Sequence, residues 1–152
     1  MPNIDATTAQ VLVGSGDSAF VAQADAFAQG ANISSTLLYT VPANNGGRYR
    51  VSAYCEVTRQ ATTTATLAVA NVVLTTADGG ASQTVQCSAN AGLAANPAVG
   101  ANSGQATSGP SGTVVISAAG GTTINFTTTG YATSGATSMQ YAMHIKLEYI
   151  GG

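Results

Sequence analysis

The chain has one histidine, His144, and two cysteines, Cys55 and Cys87. A nucleophilic hydrolase needs a Ser, Cys or Thr held beside a base, and the usual base is imidazole. His144 lies between Ala142 and Lys146 on the polar side of an alternating run, and no G-x-S-x-G elbow accompanies it. It is read as a solvated or interface histidine. Glycoside hydrolysis needs two carboxylates facing across a cleft; Glu56 and Glu148 lie on regular strands and are read as solubilising groups or partners of Arg48, Arg50 or Lys146. Asp5, Asp17, Asp25 and Asp78 are too scattered for a calcium loop. Cys55 and Cys87 lack the paired spacing of a zinc or redox site. They are expected to be buried free thiols, with a disulfide between them as the alternative. No catalytic residue, metal site or cofactor is expected.

Two further motifs are weak. Gly14-Ser15-Gly16-Asp17-Ser18 lacks the lysine and the strand-turn-helix context of a phosphate loop and reads as a flexible joint. Asn32-Ile33-Ser34 and Asn125-Phe126-Thr127 match a glycosylation triplet, as chance allows in a chain so rich in Ser and Thr.

The elements that must position these residues are strands. In 138–150, Tyr141, Met143, Ile145, Leu147 and Tyr149 alternate with Ala142, His144, Lys146 and Glu148, so one face is buried and one wet. In 48–58, Tyr49, Val51, Ala53, Cys55 and Val57 alternate with Arg48, Arg50, Ser52, Tyr54 and Glu56, which turns Cys55 inward. A strand over 34–41 ends at Pro42, and the Asn-Gly-rich residues 43–47 predict a hairpin into 48–58. Further strands are expected at 19–29, with Phe20, Ala22, Ala24 and Ala26 on one face; at 64–76, where the apolar spacing shifts as at a bulge; and at 82–89. The last expected pair is 112–118 and 122–128, joined as a hairpin at Gly120-Gly121. About eight strands with almost no helix predict an antiparallel two-sheet β-sandwich, all-β and jelly-roll-like. Residues 1–17 read as an N-terminal arm and 18–152 as the sandwich domain, with a long loop at 90–111.

Composition narrows the function. Charged residues are 7% of the 152, against about 25% in an ordinary soluble domain. Hydroxyl and amide side chains must therefore hydrate the surface. Four basic residues and a net charge of −2 leave no patch to neutralise phosphates, so no nucleic-acid partner is expected. No apolar run is long enough to span a bilayer, and the first residues lack a signal-peptide pattern; no membrane association is expected, and synthesis in a cytoplasm is.

Leu38-Tyr39-Thr40-Val41-Pro42-Ala43, followed through Gly47 by Tyr49-Arg50-Val51-Ser52 and Tyr54, resembles a strand-turn-strand phrase of small structural proteins of tailed bacteriophages. The resemblance implies a jelly-roll protein of the virion that assembles as a homotrimer. It would serve either as a capsid decoration (cement) protein, with the major capsid protein as its partner, or as a receptor-binding tip of a head or tail fibre facing a host receptor. The absence of heptad or shaft repeats ranks decoration first. Scarce edge charge favours assembly on independent grounds, and Tyr39, Tyr54, Tyr131 and Tyr141 are the candidate subunit-interface aromatics, Tyr141 having a core position as its alternative.

Overall fold

The structure, a computed structural model, describes residues 19–63, 65–75, 81–87 and 108–152. The expected arm at 1–17, the loop from 90 to 107 and the turn at 78–80 lie outside the described residues. All regular structure among those described is strand. In chain order the strands are β1 (Ala19–Gln29), β2 (Thr36–Thr40), β3 (Gly47–Arg59), β4 (Ala65–Thr66), β5 (Val69–Leu74), β6 (Gln83–Gln86), β7 (Ser108–Ala118), β8 (Thr123–Thr129), β9 (Ala132–Thr133) and β10 (Gln140–Gly151).

Two antiparallel sheets of four strands face each other, ordered β1-β10-β3-β7 and β2-β8-β5-β6, with β4 and β9 forming a small separate pair. Their winding follows from four pairings: β1 with β10, β2 with β8, β3 with β7 and β5 with β6. The chain thus runs as one long folded hairpin whose arms are β1-β2-β3-β5 and β6-β7-β8-β10. Rolling it up brings β10 against β3 and β8 against β5. That is the jelly-roll order, which joins the middle of each sheet through strands distant in sequence.

The core is filled from both inner faces. Val51, Cys55, Tyr141, Met143 and Leu147 meet Val72, Leu74, Ile124 and Phe126, all at most 5% exposed. A polar chain bridges the sheets inside it. Tyr141 donates to the Ala31 carbonyl (2.9 Å) and shares a 2.7 Å hydrogen bond with Thr128 Oγ1, which accepts the Ile33 N–H at 2.7 Å. A buried phenol and threonine are thereby satisfied, as burial of polar groups requires.

Five expectations are corrected. Strands β2 and β3 do not pair, and neither do β7 and β8: each connection crosses from one sheet to the other. Sheets stack about 10 Å apart, a gap that a two-residue turn does not bridge but linkers such as 41–46 and 119–122 do. The two linkers are knit together instead, Val41 N–H donating to the Thr122 carbonyl (2.9 Å) and Gly121 N–H to the Val41 carbonyl (2.8 Å). Phe20 does not share the face of Ala22; a register shift between them turns its ring outward, 51% exposed. The run at 64–76 divides into β4 and β5 around buried Leu67 and Ala68. Ser108 to Ser111, placed in the long loop by sequence, open β7.

Candidate functional site

The antiparallel registers set the outer face of β1-β10-β3-β7 in rows. One row holds Asp25, His144 and Tyr54; the next holds Gln23, Lys146, Ser52 and Thr113; a third holds Phe20, Glu148, Arg50 and Val115. All four lysines and arginines and the histidine are on β3 and β10. The alternation that buries Met143, Ile145 and Leu147 is what faces His144, Lys146 and Glu148 the other way.

His144 is the centre of this face. Its Nδ1 is 2.6 Å from Asp25 Oδ1 on β1, and its Nε2 is 3.8 Å from Glu56 Oε1 on β3. Tyr54 stacks on the imidazole with centroids 4.6 Å apart at 22°, and Phe27 meets it edge-on at 5.5 Å and 74°. The ring is clamped by two carboxylates and two aromatic rings drawn from two neighbouring strands. Both ring nitrogens face carboxylates, Nδ1 at hydrogen-bond distance and Nε2 farther off. Beside it the charges pair among themselves, Lys146 Nζ lying 2.9 Å from Glu148 Oε1 and Arg50 3.8 Å from Glu148 Oε2. A groove of about 480 Å³ runs over this face, lined in part by Gln23, Asp25, Ser52, Tyr54, Thr113 and Lys146.

The outer face of the other sheet differs in kind. Strands β2, β5, β6 and β8 contain no charged residue. Register sets Leu37, Asn125, Val73 and Thr84 in one row across the four strands, and Thr127, Asn71 and Gln86 in the next. Leu37 is 57% exposed, and the buried Asn125 Oδ1 has no hydrogen-bond partner among the described residues.

The sequence candidates scatter. Tyr54 stands on the open outer face; Tyr39 and Tyr131 are half-buried against the core; Tyr141 is wholly enclosed by its own chain, the alternative weighed for it. Tyr39 packs 6.1 Å from Tyr49, which in turn meets Tyr149 at 5.2 Å. Burial, with Tyr39 and Tyr149 adding to it, pushes the Tyr49 phenol up to about 12. Cys55 and Cys87 are both buried free thiols. Burial, aided by its neighbour Cys87, raises Cys55 to about 12, and burial raises Cys87 to about 11 while its Sγ donates to the Ala70 carbonyl at 3.2 Å. Such thiols are inert, because the reactive species is the thiolate. Among the described residues no group of three or more His, Cys, Asp or Glu is gathered to hold a metal. Sequence reasoning missed the meeting of Asp25, His144 and Glu56. Alternation placed His144 and Glu56 on wet faces, but only the register makes all three neighbours.

No known family model matches the chain, and no curated protein sequence matches it.

Proposed function

We propose that this chain is a non-enzymatic structural protein of a virus particle: a homotrimeric decoration protein that binds the major capsid protein of a bacteriophage head and stabilises it. One observation carries the reading, the charge-free outer face of β2-β8-β5-β6. Interface cores are depleted of charge, because each buried ion loses hydration that a partner must replace. Here a whole sheet face is hydrated by Thr, Asn and Gln side chains alone, with Leu37 exposed on it. Its amide and hydroxyl groups exchange water for a partner's hydrogen bonds at small cost. The phage-like phrase around Tyr39 and Tyr49 supplies the setting, and three copies joined through this face present three capsid contacts at once, whose avidity a capsid lattice rewards.

Light scattering of the purified protein is expected to give the mass of three chains, and mixing with capsids stripped of accessory proteins to restore regular decoration. Val73→Lys sets a charge in the middle of the charge-free face and is expected to weaken self-association by about tenfold or more. Lys146→Ala, on the opposite sheet, leaves it unchanged. A monomer that ignores capsids overturns the proposal; a trimer that ignores capsids and binds host cells transfers it to a receptor-binding tip.

A further inference from the structure

We infer that the groove over β1-β10-β3-β7 is a binding site for an uncharged saccharide. The first argument is the state of its charges. Asp25 is held by His144 through Oδ1 at 2.6 Å and by the Gln23 amide through Oδ2 at 3.4 Å, and Lys146 is held by Glu148 at 2.9 Å. Each formal charge lining the groove already faces an opposite or polar partner on its own sheet. An anionic or cationic ligand would compete with those pairs; a neutral one would not.

The second argument is what the groove has left to offer. Ser52 and Thr113 share one 3.1 Å hydrogen bond, and a hydroxyl carries one donor and two acceptor positions. Gln23 adds an amide with both donor and acceptor character, and Lys146 has three donors of which one is directed at Glu148. Mixed donors and acceptors in one row match a polyhydroxylated ligand, whose every hydroxyl both donates and accepts.

The third argument is the wall. Tyr54 is 42% exposed, and its ring is fixed by stacking on an imidazole that Asp25 and Phe27 hold from two other directions. A tyrosine side chain has few rotors to freeze, and this one is already held by one stacking contact, so contact with it costs little further ordering entropy. The electron-rich face of such a ring packs against the C–H face of a pyranose. The volume of about 480 Å³ suits one or two sugar rings, within the 300–1,000 Å³ range of small-molecule sites. In this arrangement His144 is a positioning residue that acts through Tyr54.

The test is NMR titration of the isotope-labelled chain with glucose, galactose, mannose, N-acetylglucosamine, lactose, maltose and chitobiose, with glucose 6-phosphate and glucosamine as anionic and cationic controls. At least one neutral sugar is expected to shift the amides of Ser52, Tyr54, Gly112 and Thr113, and to bind more tightly than the charged controls. Thr113→Val removes an exposed hydroxyl and is expected to weaken that binding by about tenfold, as is Tyr54→Ala. Leu37→Ser on the opposite sheet leaves it unchanged. A thermal melt of each variant establishes that it is folded. Groove amides that stay still across the panel, tighter binding of a charged control, or full affinity in both groove variants overturns the inference. The measurement needs neither trimer nor capsid, so its outcome is separable from that of the decoration proposal.

Discussion

The two sheets of this sandwich solve the same inner problem and opposite outer ones. Inside, Leu147 on β10 and Phe126 on β8 are buried alike, at 0% and 5% exposure. Outside, one sheet carries charges, aromatic rings and a groove, and the other carries only uncharged side chains. An ion keeps its water tightly, while a threonine hydroxyl gives it up readily. The contrast therefore divides the surface into a face that stays wet and can hold a small polar ligand, and a face that can be covered.

Leu147→Ala and Phe126→Ala should each cost about 2–5 kcal/mol, since both remove close-packed core volume. Urea unfolding measures both, and a much smaller loss for one of them would show that its sheet contributes little to the core.

Next in size is the response to alkali. Folding raises Cys55 from 9.0 to about 12, Cys87 from 9.0 to about 11 and Tyr49 from 10.0 to about 12. The folded state holds these protons where the unfolded state releases them. Their contribution is complete below about pH 9 and is lost as pH climbs through 11 to 12. Stability should fall steeply over that window, and Cys55→Ala should reduce the slope by about one proton. A flat profile to pH 12 would contradict the burial of these groups.

A smaller gain is expected at the edge of the charged sheet. Ala28 has φ 52° where the register of β1 against β10 slips. A side chain in that left-handed region costs about 1–2 kcal/mol. Ala28→Gly should stabilise by about 1 kcal/mol, seen as a raised thermal midpoint, because the gain is partly offset by glycine's greater freedom when unfolded.

The smallest effect belongs to the outer ion pairs. Asp25→Asn leaves His144 only the more distant Glu56, yet the Asp25 side chain is 38% exposed and solvent screens the pair. The loss should stay below about 1 kcal/mol in a denaturant series, while the Tyr54 ring signals shift as the imidazole loosens.

Much of the fold was legible before any coordinate. The alternation in 48–58 and 138–150 separated inner from outer residues except at Ala142, expected to be wet and in fact 0% exposed, and β1 spans Ala19–Gln29 as its pattern indicates. The two missed connections share one cause. The hairpins expected at 43–47 and at Gly120-Gly121 were local inferences from turn residues, and a loop rich in Gly and Asn serves a crossover as well as a hairpin. Phe20 was misplaced because one register shift reverses every side chain before it.

The strand class, the inward side of Cys55, the scarcity of charge and the wet residues of 48–58 were set by the sequence, because these depend on residue type and a period of two. Tertiary structure alone decided which wet faces lie together. Asp25 meets His144, with Glu56 and Tyr54 beside it, only because β10 sits between β1 and β3. The charges gather on one sheet only because the chain, wound as a jelly roll, sends β1, β3 and β10 to the same side. Strand partnership is a long-range choice, made by packing two inner faces at once, and no local pattern encodes it.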